Sequence, residues 1–293
     1  MNMFVRSVRR GLRPLRAASV RITEGTGNAA LRLRPYLIAL RRPCLDADPS
    51  SDVIISLTSF PARIESIWAT VDSLLLQSCA LRAVVLVLSD EEFPGRRLPP
   101  SLVRRTRRGL TVHWVPEDHR NFDKLLPALK EFPACRIITV DDDKLYPRDM
   151  ALRLVMASDE NPTAIIGHSG RLFARRPDGG ILMGPVLEMP ARSDRLYLLN
   201  GTGVLYPPGS LDGRVHDFDL IRRLCPTTDD VWFWAMSLVA GTERRCLGLR
   251  KPPANLAQMR TPTLQSVNRT TKPDQITAAF QHFGLLDRLE DAG

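Results

Sequence analysis

Five acidic residues in two clusters stand out for chemistry: Asp141-Asp142-Asp143 and, much later, Asp229-Asp230. Like charges packed together raise one another's pKa and cost energy unless a cation or hydrogen-bond donors balance them. A hard divalent ion does so, because Mg2+ or Mn2+ takes oxygen ligands and bridges to a diphosphate. In an extended turn the first and third side chains point the same way, so Asp141 and Asp143 form a D-x-D clamp. The alternative is a solvated acidic turn, and the β-rich run Arg136 to Val140 directly before the triplet argues against it. At the second cluster, Thr227-Thr228 ahead of the acids and Val231-Trp232-Phe233-Trp234 behind them read as a helix start. Capping accounts there for Thr228 and one acid. Two acids on a rigid helix also fit a catalytic carboxylate that takes a proton from an attacking hydroxyl. Asn200-Gly201-Thr202-Gly203 precedes Val204-Leu205-Tyr206, and its open backbone allows either close approach of a ligand or a plain turn.

Something must hold these residues together, and the first half of the body supplies it. Val53 to Leu57 and Ala83 to Leu88 are short β-rich runs of the kind that make buried parallel strands, and Leu110 to Val115 and Arg136 to Val140 are expected as a third and a fourth strand. A helix is expected after Pro61, with Ile64, Ile67, Trp68, Val71, Leu74 and Leu75 on one face. Further helices are expected over Leu98 to Arg108, Phe122 to Phe132 with Pro127 shortening or kinking it, Asp229 to Ala240 and Ile276 to Leu289. The alternation of β and α predicts an α/β fold with a mostly parallel sheet. Such sheets bind ligands beyond the carboxyl ends of their strands, where the aspartate triplet falls.

Composition narrows the classes. The chain has 293 residues, 44% hydrophobic and 25% charged, which excludes disorder as a whole-chain reading. Its net charge of +9 resides in residues 1–43, which hold ten arginines against Glu24 alone, so the rest is balanced. No apolar run there is long enough for a secretory signal or a bilayer span. An Arg-rich arm over 1–50 suits an anionic membrane surface, a solvated tail or a transit peptide. Five widely spaced cysteines without a C-x-x-C pair argue against a disulfide framework and point to reduced thiols in the cytoplasm.

The ordered set ISLTSFPAR at 55–63, LLPALKEF at 125–132, ITVDDDKLYP at 138–147, GTGVLYPPG at 201–209 and TTDDVWFWAM at 227–236 resembles bacterial glycosyltransferases of the GT-A type. More narrowly, it is similar to family-2-like enzymes of lipopolysaccharide and capsule synthesis, over residues 53 to about 283. The resemblance implies a Rossmann-like nucleotide-diphospho-sugar transferase fold in one domain, 51–293. Residues 51–150 would bind the nucleotide-diphosphate sugar, and 151–293 a glycan or lipid-linked acceptor; the basic arm suggests a peripheral position on the inner face of the cytoplasmic membrane, where lipid-linked acceptors are assembled. It implies Mn2+ or Mg2+ on Asp143, with Asp141 near the ribose or the metal and His282 a further ligand. Thr58, Arg63, Asp142 and Lys124 would serve the donor, and Gly201, Thr202 and Gly203 the acceptor loop. Asp230 matches the usual base position, with Asp229 its near rival. Gln265 to Asn268 and Asp274-Gln275 fall where such enzymes carry a mobile flap.

Rival readings fit less well. A nucleotidyltransferase needs a Gly-rich loop after the first strand, and Thr58 to Arg63 has no glycine. A dehalogenase-type phosphatase needs its D-x-D nucleophile loop early, with a hydroxyl residue that DDDKL lacks. A nucleic-acid-binding or membrane-binding protein acting through the arm is the remaining alternative. With a neutral body, 6% aromatics and no zinc-finger, RRM or helix-turn-helix signature, no nucleic-acid partner is expected.

Overall fold

A computed structural model describes residues 33–41, 44–248, 251–256 and 264–289, with side chains from residue 270 onward in the last segment. The chain divides into two units, Met1–Arg42 and Pro43–Gly293. Described residues of the first form a helix over 33–40 that exposes Leu33, Tyr36, Leu37 and Leu40. In the second, residues 44–50 lie on the α/β body, with Leu45 N–H donating to Arg108 O at 2.8 Å.

The elements of the second unit are β1 Val53–Thr58, α1 Trp68–Leu74, β2 Ala83–Ser89, α2 Pro100–Thr106, β3 Leu110–Val115, α3 Leu126–Glu131 and β4 Arg136–Thr139. There follow β5 Lys144–Leu145, α4 Met150–Glu160, β6 Ile165–Gly167, β7 Gly170–Arg175, β8 Ile181–Val186, β9 Ala191–Arg192 and β10 Leu196–Leu198. The last are β11 Val204–Tyr206, α5 Phe218–Leu224, α6 Asp229–Val239, β12 Arg244–Cys246, β13 Ala254–Asn255 and α7 Leu264–His282.

Eight strands form the main sheet in the order β3-β2-β1-β4-β11-β6-β12-β9. The first four are mutually parallel, as the apolar runs predict, and β6 pairs parallel to β12. β11 runs antiparallel to both β4 and β6. Side chains alternate across the sheet: Ile54, Val85, Val87 and Ile137 enter one core, while Ile55, Leu57, Leu86 and Ile138 enter the other. α6 and α7 cover the first core, and α1 and α4 the second. Trp232, Phe233 and Trp234 of α6 are buried, each contributing about 2–3 kcal/mol of apolar burial. A separate antiparallel sheet, β10-β7-β8, carries Tyr197.

Two departures from the sequence expectations, and one strand pairing that the sequence left open, matter for the site. The helix expected over Phe122 to Phe132 breaks at Leu125 (φ −122, ψ −50) into a 3-10 turn, Arg120–Lys124, and α3. Pro127 lies in the first turn of α3, where its missing N–H costs nothing, so it starts the helix rather than kinking it. The terminal helix begins at Leu264, well before Ile276, and carries Pro273 inside. It gives way at Gly284 (φ 66), whose left-handed backbone is a common helix stop. Finally, Val204 pairs with Thr139, the last residue of β4, so the Asn200–Gly203 segment and the aspartate triplet meet at one edge of the sheet.

Candidate functional site

At that edge the loop after β1 grips the triplet. Ser59 Oγ donates to Asp142 Oδ2 at 2.6 Å, and Arg63 Nη1 to Asp142 Oδ1 at 2.6 Å. Thr70 Oγ1 donates to the Asp142 carbonyl at 2.8 Å. Burial pushes the Asp142 carboxyl up, against the pull of Arg63 and Ser59. With both oxygens taken and 5% exposure, Asp142 is a strut between loops. Arg63 lies over the Phe60 ring, 5.3 Å from its centroid, and its Nη1 reaches Asp143 Oδ2 at 3.4 Å. Thr58 Oγ1 donates to Val87 O at 3.0 Å, tying the loop to β2.

Asp141 faces elsewhere. Lys124 Nζ lies 3.0 Å from its Oδ1, and Lys144 Nζ 3.1 Å from its Oδ2. Burial opposes ionisation here, but the two ammonium groups outweigh it and hold the carboxyl well below the usual carboxylate range. About a third of the Asp141 side chain (32%) still faces solvent, so these pairs are partly screened. The first and third carboxylates therefore do not share partners: the triplet turns, and the expected clamp is split between two lysines and Arg63.

Lys124 also reaches the second acidic cluster, with Nζ 3.0 Å from Asp229 Oδ2 as an ion pair rather than a well-directed hydrogen bond. Burial disfavours the charged Lys124, yet Asp141, Asp229 and Asp230 raise its pKa well above the ordinary value. Burial pushes Asp229 up, with Lys124 opposing. Three carboxylates surround one ammonium, so the cluster holds Lys124 charged.

Asp230 accepts from Tyr197 OH at Oδ2, 3.0 Å, and from Asn200 Nδ2 at Oδ1. Thr228 occupies the N-cap position without a side-chain cap bond, and its hydroxyl donates instead to Gln275 Oε1. Capping therefore does not account for Thr228, and each aspartate has its own side-chain partners.

The glycine segment closes the edge. A Cβ at Gly201 would sit 2.1 Å from Lys144 Nζ and 2.4 Å from Asp141 Oδ2, so only glycine leaves room for that pair. Gly203 has φ 99, which glycine alone adopts readily. Thr202 Oγ1 donates to Leu199 O at 2.9 Å and shapes the turn. Tyr146 OH accepts from Asp141 N–H at 2.9 Å and lies 3.1 Å from Gly201 O, joining the two segments.

Other positions fall apart from this group. His282 is exposed at the end of α7 with its ring 4.7 Å from that of Phe283. Among the described residues no group of three or more His, Cys, Asp or Glu is disposed to hold a metal. Gln265 to Asn268 lie in α7, their side chains outside those described, and Asp274 is exposed. Gln275 is buried against Thr227, Thr228 and Thr271. Sequence reading missed Ser59, Lys144, Tyr146, Tyr197, Asn200 and Lys272. Lys144 and Tyr146 adjoin the triplet and Asn200 adjoins Gly201, which was a usable signal; Tyr197 and Lys272 had none.

No family model matches the chain, and no curated protein does. Among solved structures it is similar to the mannosyltransferase PcManGT from Pyrobaculum calidifontis, in complex with GDP-Man and Mn2+. That likeness has 16% identity and a TM-score of 0.48, over 89% of this chain and 82% of that one. It is similar also to S. aureus TarS 1-349, at 14% identity and a TM-score of 0.46, over 69% of this chain and 59% of that one. Both likenesses are remote.

Proposed function

We propose that the chain is a glycosyltransferase of the GT-A type, moving a sugar from a nucleoside-diphosphate sugar to an acceptor hydroxyl. The observation that carries this is the single lysine, Lys124, shared by Asp141 after β4 and Asp229 at the start of α6. It ties a binding edge at strand ends to a second acidic pair, so a ligand edge and a candidate proton acceptor belong to one site.

A divalent cation fits at Asp143. Among the described residues its Oδ1 is buried without a hydrogen-bond partner, and its Oδ2 is approached by Arg63 at 3.4 Å. One carboxylate suffices for Mg2+ or Mn2+ when a diphosphate supplies further oxygens. When bound, such an ion offsets the charge that builds on the leaving diphosphate. Asp141, with both oxygens on lysines, fits instead as the anchor that orients Lys124 and Lys144. Lys144, 20% exposed, presents positive charge where a diphosphate would lie. Arg63 and Thr58, in the loop after β1, would border the nucleotide, while Asp142 keeps that loop in place. Asp230 would take the proton of the acceptor hydroxyl in an inverting transfer, with Asp229 holding Lys124.

The test is thermal stabilisation by UDP-, GDP-, CMP- and dTDP-sugars, each with and without Mn2+, on wild type and Asp143→Ala. One nucleotide class should raise the midpoint in a metal-dependent way that the variant loses. Absence of any shift with folded protein would sink the reading.

The N-terminal helix supports a location for this activity. Leu33, Tyr36, Leu37 and Leu40 are exposed beside Arg34 and Arg41, and no helix among the described residues is long and apolar enough to cross a membrane. An apolar face flanked by arginines suits peripheral binding to an anionic leaflet, where a lipid-linked acceptor of cell-surface polysaccharide synthesis would be met. Removing residues 1–43 should abolish co-sedimentation with anionic vesicles; unchanged binding would refute the anchor.

A further inference from the structure

Asp230 is held at both oxygens, and the holders are themselves held. Asn200 presents its amide nitrogen to Oδ1 because its own Oδ1 accepts from Thr139 Oγ1 at 2.9 Å and from Tyr206 OH at 2.9 Å. An amide with hydroxyl donors on its oxygen has only its NH2 left for a carboxylate. On the other side, Tyr197 OH gives its one proton to Asp230 Oδ2. Its lone pair accepts from Lys272 Nζ at 2.6 Å, and the ammonium stands 4.6 Å from the Tyr197 ring centroid. Tyr197 is fully buried, and burial together with Asp230 and Asp229 keeps its phenol protonated, hence a donor.

Lys272 belongs to α7, which packs against α6 through Phe280 on Trp234, ring centroids 4.5 Å apart. That apolar contact, with buried Ile276 and Ala279, secures the helix without Lys272. One turn along from the lysine, Gln275 bonds to Thr227 N–H at 3.2 Å and to Thr227 Oγ1 at 2.7 Å, fixing the segment that leads into the aspartate pair. From two polar positions on one face the helix thus reaches the hydroxyl that donates to Asp230 and the segment that leads into the aspartate pair. A charge-assisted bond from an ammonium to a hydroxyl that ends on a carboxylate makes that hydroxyl a stronger donor and fixes its direction.

We propose that Lys272 and Tyr197 are positioning residues for Asp230, a relay through which the C-terminal helix sets the direction in which the carboxylate faces the acceptor hydroxyl. This rests on the reading of Asp230 as the proton acceptor. The other charged or titratable groups around Asp230 are Asp229 beside it in α6, Lys124 from the turn before α3, and Tyr206 from β11. Neither Lys272 nor Tyr197 need touch the donor.

The experiment has two arms on the full chain. In the first, release of nucleoside diphosphate from the stabilising sugar nucleotide into water is followed for Lys272→Met, Lys272→Arg, Tyr197→Phe and the Lys272→Met/Tyr197→Phe pair. Lys272→Met should lower kcat by about tenfold with donor KM within about twofold, Lys272→Arg should restore most of it, and the pair should be no worse than Tyr197→Phe alone. Unchanged kcat in Lys272→Met, or factors that multiply in the pair, would overturn the relay. The second arm uses no substrate: unfolding midpoints of Lys272→Met, Asp230→Asn and their pair are compared with Tyr197 intact and again in chains that also carry Tyr197→Phe. Non-additive shifts confined to the chains with Tyr197 intact support the relay, and additive shifts in both sets overturn it. Should no sugar nucleotide bind, the glycosyltransferase reading fails while this second arm still decides the relay.

Discussion

Lys124 stands 3.0 Å from Asp229 and so ties the turn before α3 to the first turn of α6. Its side chain is 6% exposed, as is that of Asp229, so neither charge has water to fall back on. Lys124→Met would strand a buried carboxylate and release one side of Asp141. Loss of about 3–5 kcal/mol of stability is expected in urea unfolding. A loss under about 1 kcal/mol would mean that solvent, not the lysine, balances these acids.

Gly201→Ala separates binding from folding. The added methyl meets the ends of Lys144 and Asp141, flexible groups that move aside at small cost, but the pair at 3.1 Å cannot survive the move. Stability should fall by about 1 kcal/mol or less. Donor-induced stabilisation should be largely lost. Retention of the full donor shift would show that the Lys144–Asp141 pair plays no part in holding the diphosphate.

Asp230→Asn and Asp229→Asn should behave differently, though the residues are adjacent. The first removes the proton acceptor and should lower turnover by about 10^2–10^4 with donor binding intact. The second removes one of the two carboxylates paired with Lys124 at 3.0 Å, leaving Asp141 in contact and Asp230 nearby, and should lower stability by about 3 kcal/mol. Near-normal turnover in Asp230→Asn would shift the base assignment to Asp229.

His168 predicts an acid limb in stability. Burial lowers its pKa to about 4, with a 2.9 Å contact from Nε2 to Met150 O opposing. The unfolded chain takes up the proton near pH 6.5, whereas the folded one resists until about 4. The stabilisation is therefore complete above about pH 6.5 and lost as pH falls through that window, by about 3 kcal/mol in all. Subtracting the stability profile of His168→Gln from that of wild type should isolate this slope, and a flat difference would refute it.

What could be read from the sequence followed from local pattern. Three of the four parallel strands, β1, β2 and β4, were visible as short β-rich runs because both their faces are buried, whereas β3, buried only at Leu110, showed itself by its place in the β/α alternation. The aspartate triplet was visible as a cluster at a strand end. Its division was not, because it depends on a turn that sends Asp141 to lysines and Asp142 to Arg63. Nor was the Asp230 support, since Tyr197 and Lys272 come from a small second sheet and from a helix whose beginning Pro273 disguised. Long-range hydrogen bonds leave no periodicity to read. The β11 reversal was hidden too, because a run of three apolar residues carries no direction.

That short strand has a consequence for how the chain can change. Val204 and Tyr206 point into one core and Leu205 into the other, while Tyr206 also orients Asn200. Adding or removing one residue between Asn200 and Val204 would exchange these faces, turning the tyrosine hydroxyl from the amide it orients while leaving the β4 ladder free to re-form one step along. The spacing from Asn200 to Tyr206 is thus a matter of parity: variation by single residues is closed to it, and point substitution is the main route left open.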